Sequence, residues 1–162
     1  MKEFDKEKWN TATRNFIQFV DNVPSGVLSF RPEIEDAWTA HEHIIHVVDS
    51  EINAFIRLKT ILGQSGADTF IVNEEQWAKN IDYSKELIDD YLELFQLIRE
   101  LESNIFLNVI NSDQMKNFVV HENYGKVDIE TWLDWYTEKH INEHIIFIER
   151  NIKIYESLSK IV

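Results

Sequence analysis

The chain has no cysteine. Disulfides, iron–sulfur ligation, zinc held by thiolates and a cysteine nucleophile of the protein's own are therefore excluded. Glycine occurs four times and proline twice, too few for a fold built on many tight turns, so long helices are expected. Basic residues are scarce beside acidic ones: 16 Lys and Arg against 29 Asp and Glu give a net charge of −13. Such a surface repels nucleic acid and anionic membranes, and no Lys/Arg cluster offsets it. No stretch approaches the ~18 uninterrupted apolar residues of a membrane span. The start, MKEFDKEKWN, has no apolar run behind its charges and does not read as a secretory signal. The expectation is a cytoplasmic protein acting on a small molecule, with neither nucleic acid nor membrane as partner.

What is present fits one domain over residues 1–162. Hydrophobic residues make up 44% and charged residues 28%, the balance of a chain with an ordinary core. Helical spacing marks a first helix over about 5–21, through Phe4, Trp9, Phe16, Ile17 and Val20. A second begins near Thr39, where Thr39 and Glu42 have the spacing of a capping box, and ends at Gly63. A third spans about 84–110, with Leu87, Tyr91, Leu92, Leu94, Phe95, Ile98, Leu101 and Ile105 on its apolar side. A fourth follows Asp128 as N-cap and continues to about Leu158. Residues 64–82 form a long polar connection and residues 111–128 a mixed one. A helical turn around 74–79, a brief helix after Ser112 and a turn at Asn123, Tyr124 and Gly125 are expected within them. With no alternating strand pattern, the fold class is all-α: a four-helix bundle with long irregular connections. Five Trp and ten Phe leave room for a homodimer interface, although the same aromatics can fill the core.

Among six histidines, His140 and His144 stand four residues apart. They lie in the middle of the stripe Leu133, Tyr136, His140, His144, Ile148, Ile152, Tyr155, so both imidazoles project from one inward face. Buried imidazoles need partners. A transition metal is one; water or carboxylates are others. For a third ligand the second helix offers His41, His43 and His46. His46 is the strongest, two turns inside the helix beside Ile45 and Val48. His43 sits near the solvent-prone first turn, and His41 reads as surface. Asp49, one turn after His46, could be a fourth ligand, an acceptor that fixes a histidine tautomer, or a solvated carboxylate. Glu42, Glu51 and Glu143 read as surface or capping residues.

The segment DAWTAHEHIIHVVDSE resembles the second-helix motif of the DinB/YfiT-like bundle proteins: a Trp, then a ligand His and an acidic residue three positions on, here Trp38, His46 and Asp49. HENYGKVDIETWLDWYTEKHINEHIIFIER resembles the same superfamily's C-terminal part, with a His-containing loop, a Gly turn and two ligand histidines, here His121, Gly125, His140 and His144. The resemblance covers most of the chain in element order and implies a four-helix bundle with a divalent metal (Zn, Ni, Fe or Mn) held by His46, His140 and His144. Characterised members include thiol-dependent S-transferases and isomerases. Three neutral ligands leave positions open on the ion, and with no cysteine in the chain a thiolate could only come from a low-molecular-weight cosubstrate. The expected reaction is attack of that thiolate on a small electrophile. Asp49 would orient His46 or take a proton, and Tyr136 would line the pocket or donate a hydrogen bond. His121 is either a cover for the open side of the metal or a surface loop residue. A hydrolase of small molecules and a non-enzymatic metal-binding or stress-response bundle are the alternatives.

Overall fold

Each long helix but one starts where a side chain takes up the free amides of its first turn. Asp5 accepts from the Lys8 amide at 2.9 Å and opens α1 (Lys6–Asp21). A short α2 (Ser25–Leu28) follows. Thr39 and Glu42 form the expected capping box at the head of α3 (Ala40–Gly63). Asn73 caps α4 (Glu74–Asn80), which lies in the long connection. α5 (Ile88–Val109) has no side-chain cap and instead carries Asp89 and Asp90 in its first turn, where negative charge suits the helix dipole. It starts later than the spacing suggests because Tyr83–Lys85 forms a separate 3-10 turn. Asp128 accepts from the Thr131 amide at 3.0 Å and begins the last rod, which comprises α6 (Ile129–Asp134), a π-helical turn (Trp135–Lys139) and α7 (His140–Ser159). This computed structural model describes residues 4–70 and 72–160, the side chain of Glu75 excepted.

The four rods form a four-helix bundle in which α3 packs on both α5 and α7. No helix is long and apolar enough to cross a membrane, among the described residues. The second connection departs from expectation: it contains an antiparallel hairpin, β1 (Phe118–His121) and β2 (Gly125–Asp128), with Val119 opposite Val127. Four residues a strand are too few for alternation to stand out in the sequence. Both valines are fully buried, and Gly125 takes φ +65 at the turn, a conformation glycine adopts without strain.

Two apolar clusters fill the bundle. One gathers Trp9, Leu58, Ile61, Phe106, Val127 and Trp132 at the hairpin end. The other gathers Phe16, Ile44, Val48, Phe95, Ile141 and Ile148. A buried polar layer lies between them in chain order on the first three rods: Thr13 on α1, Ser50, Glu51 and Asn53 on α3, Arg99, Glu102 and Ser103 on α5. Leu87, Leu94 and Leu101, expected on the apolar side of the third helix, are exposed instead: Leu87 precedes α5 as its N-cap, and the buried face runs through Leu92, Phe95, Arg99, Glu102 and Phe106.

Candidate metal centre

α3 contributes His46, and α7 contributes His140 and His144. One ligand-capable atom from each lies within 4.8 Å of the other two. The ring centroids are 5.4 Å apart for His46–His140, 4.5 Å for His46–His144 and 4.7 Å for His140–His144. Burial keeps all three imidazoles neutral. It holds His46 down to about 3, helped by the neighbouring His140 and His43, and it lowers His140 and His144 as well.

The position of His140 depends on the π-helical turn before it. The His140 amide bonds to the Trp135 carbonyl five residues back. Such a turn leaves carbonyls in need of partners. Thr137 donates its hydroxyl to the Leu133 carbonyl at 2.6 Å. Arg99 donates to the Tyr136 and Thr137 carbonyls at 2.6 and 2.9 Å. The same guanidinium pairs with Glu51 at 3.0 Å, bonds Thr13 at 3.0 Å and stacks 3.3 Å over the Trp9 ring. Arg99 and Glu51 are each only 1% exposed. Glu51 is therefore no surface residue: it anchors the cation that supports the turn leading into His140. The uninterrupted α-helix expected from Asp128 onward is thus widened just before its first ligand-capable histidine.

His43 also departs from expectation. It is buried beneath Trp38 and Phe147 rather than solvated, and its Nδ1 lies 2.9 Å from His144 Nδ1. With Nδ1–H of His144 donating to Nδ1 of His43, the His144 ring is oriented and its Nε2 is the bare nitrogen it can offer. Burial, with the charge of Arg150, lowers His43 to about 4 and keeps it neutral. His41 sits half-buried with Nε2 3.1 Å from the Glu86 carbonyl, and Glu42 serves the cap.

Asp49 is buried on α3 one turn after His46. It accepts from the Tyr83 hydroxyl at 2.5 Å, and burial raises its pKa despite that bond. The carboxylate standing against His46 is Glu74 of α4, with Oε2 3.5 Å from His46 Nε2 and Oε1 accepting from Ser50 at 2.9 Å. Glu74 is the residue that sequence reasoning missed. Its signal was only a helical turn inside a polar connection.

Two clefts meet the histidine cluster. One, of about 560 Å³, is lined by Arg31, Trp38, His43, His144, Phe147 and Arg150 among others. The other, of about 420 Å³, is lined by Arg57, Glu74, His121, Trp135, Tyr136 and His140 among others. His121 is a buried residue at the end of β1 rather than a surface loop residue, and its Nδ1 accepts from the Asn123 amide at 3.1 Å. Tyr136 accepts from Arg57 at 3.0 Å, and burial pushes its phenol up to about 12.

The donor set fits a metal. Nδ1 of His46 and of His140 are buried without a hydrogen-bond partner among the described residues, and such orphans cost free energy unless something binds them. Three neutral imidazoles suit first-row divalent ions.

The chain shares its four-helix-bundle fold with a solved structure of DinB/YfiT-like type. YfiT from Bacillus subtilis, described as a probable metal-dependent hydrolase with an unusual four-helix bundle topology, superposes with TM-score 0.82 at 20% identity, covering 96% of this chain and 90% of that one. A mycothiol-dependent maleylpyruvate isomerase shares the fold at TM-score 0.64 and 12% identity, and 58% of its chain is covered. A provisionally named metal-dependent hydrolase of Oceanobacillus iheyensis is 25% identical over 137 residues, 78% of each chain. One from Halalkalibacterium halodurans is 26% identical over 116 residues, 72% of this chain and 66% of that one. No family model matches the sequence.

Proposed function

We propose that this chain is a metal-dependent enzyme in which His46, His140 and His144 hold one divalent ion and small molecules react beside it. The observation that carries the reading is the convergence of three neutral ring nitrogens at a point reached by two clefts. An ion bound there would supply uncompensated positive charge that acidifies an adjoining thiol or water. The protein's own groups do the rest. Glu74, held by Ser50, accepts the released proton. His43 fixes the ring of His144. Tyr136, neutral across the physiological range, donates a hydrogen bond to the substrate.

Two clefts suit two substrates, so the reaction we favour is transfer of a low-molecular-weight thiol to a small electrophile. A sulfur–carbon bond forms from the thiolate pair, the leaving group departs with the electrons of the broken bond, and the thiol proton passes to Glu74. The mycothiol-dependent fold relative supports this reading. The names of the hydrolase relatives favour a second one, attack by water on a small ester or amide. The test is to load the purified protein with Zn, Ni, Mn or Fe(II) and offer bacillithiol, mycothiol or glutathione with monochlorobimane, and separately a panel of nitrophenyl esters. Metal-dependent conjugation with at least one thiol is expected. Ester hydrolysis without conjugation would replace the first reading by the second.

A further inference from the structure

Arg57 lies on α3 eleven residues after His46, three helical turns further along the same face. With Ser50 and Asn53 between, it completes a stripe of buried polar residues in an otherwise apolar helix. Arg57 is 7% exposed, yet among the described residues its hydrogen bonds go only to neutral hydroxyls: Nε to Thr69 at 3.4 Å and Nη1 to Tyr136 at 3.0 Å. Among the described residues no carboxylate lies within ion-pair distance of it. The contrast with Arg99, also buried but paired with Glu51, is direct. A buried cation without a counter-charge is costly, and it persists where a ligand supplies the charge. Arg57 lines the cleft of about 420 Å³ that also holds His140 and Glu74, a volume in the range of small-molecule sites.

We propose that Arg57 is the carboxylate-binding residue of this cleft, so that the small substrate is a carboxylic acid whose anionic end lies on Arg57 and Tyr136 and whose reacting end faces His140 and Glu74. The guanidinium fork matches a planar carboxylate. Tyr136, accepting from Arg57, keeps its own hydroxyl proton for the same anion. Trp135 and Tyr124 offer aromatic surface to the body of an unsaturated or aromatic acid. Glu74 and Glu143 also line the cleft and disfavour a multiply charged anion such as phosphate. The position of the reacting end rests on the metal reading above; the carboxylate subsite does not.

The test compares benzoate with its uncharged isostere benzamide, by nuclear magnetic resonance titration of the metal-loaded full chain and of the same chain after chelator treatment. Benzoate is expected to bind about tenfold or more tightly than benzamide in both forms, the worth of a charge-assisted hydrogen-bonded pair. In Arg57→Gln that preference should vanish while metal content stays at the wild-type level. Arg57→Lys, which keeps the charge and most of the stem should the glutamine variant fail to fold, should retain only part of it. Equal binding of the two probes by the wild type would overturn the proposal. So would a preference that survives in Arg57→Gln, or one that disappears on metal removal because the carboxylate sits on the ion. A wild-type protein that holds no metal yet prefers benzoate would sink the enzyme reading and leave the subsite standing.

Discussion

Replacing Arg99 by Met tests how the bundle supports its site. The substitution keeps a long side chain over Trp9 but removes the donors to Glu51, Thr13 and the Tyr136 and Thr137 carbonyls. It also leaves the Glu51 carboxylate, 1% exposed, in the core without its partner. Breaking a buried pair from one side costs about 3–5 kcal/mol. With a urea dependence of about 2 kcal/mol per M, the unfolding midpoint should fall by about 2 M. The double variant Arg99→Met with Glu51→Gln removes the orphaned charge and should recover part of the loss, giving a coupling of about 1–3 kcal/mol. Metal affinity should fall in the single variant, because the π-helical turn that places His140 loses two of its carbonyl partners. A single variant within about 1 kcal/mol of wild type, or two substitutions whose costs simply add, would refute the claim that Arg99 holds the turn through this network.

Three further outcomes follow from the same geometry. His43→Leu should weaken metal binding about 10–100-fold in a competition titration against a chromophoric chelator, and His43→Asn, whose side-chain oxygen can replace the Nδ1 acceptor, should restore most of it; wild-type affinity in the leucine variant would show that His144 needs no such support. Glu74→Gln should retain metal while turnover drops by about a hundredfold or more, and full turnover would remove Glu74 as proton acceptor. Glu102 is held well above its ordinary 4.5, by burial first and then by the charge of Glu51, so the folded chain keeps a proton that the unfolded chain gives up. The stability tied to that proton is complete below 4.5 and is lost as pH rises towards the raised value. Urea melts at acid and alkaline pH should therefore show a smaller alkaline loss in Glu102→Gln than in the wild type, and parallel losses would contradict it.

Local chemistry explains what could be read from the sequence. Asp5, Thr39 with Glu42, and Asp128 mark helix starts because each cap acts within four residues. His140 and His144 share a face by helical spacing alone, and the structure brings His46 to them. Glu74 could not be read the same way: it reaches Ser50 and His46 from a separate short helix, and no spacing rule fixes a contact across such a connection. His43 was assigned to solvent because it lies near the first turn, whereas Trp38 and Phe147 cover that turn from outside the helix. No Gly or Pro announces the π-helical turn, and the carbonyls it sets free are served by Arg99, some forty residues earlier. The polar stripe of His46, Ser50, Asn53 and Arg57 was present in the spacing but gains meaning only once its burial is known.

Elemental analysis of the purified chain, beside His46→Ala, His140→Ala and His144→Ala, tests the central claim most directly. One divalent ion per wild-type chain and its loss in each variant, with folding intact by circular dichroism, is the predicted result. Wild-type metal content in all three variants, or a wild-type protein that takes up none of the ions offered, would contradict the assignment of these histidines as a metal centre.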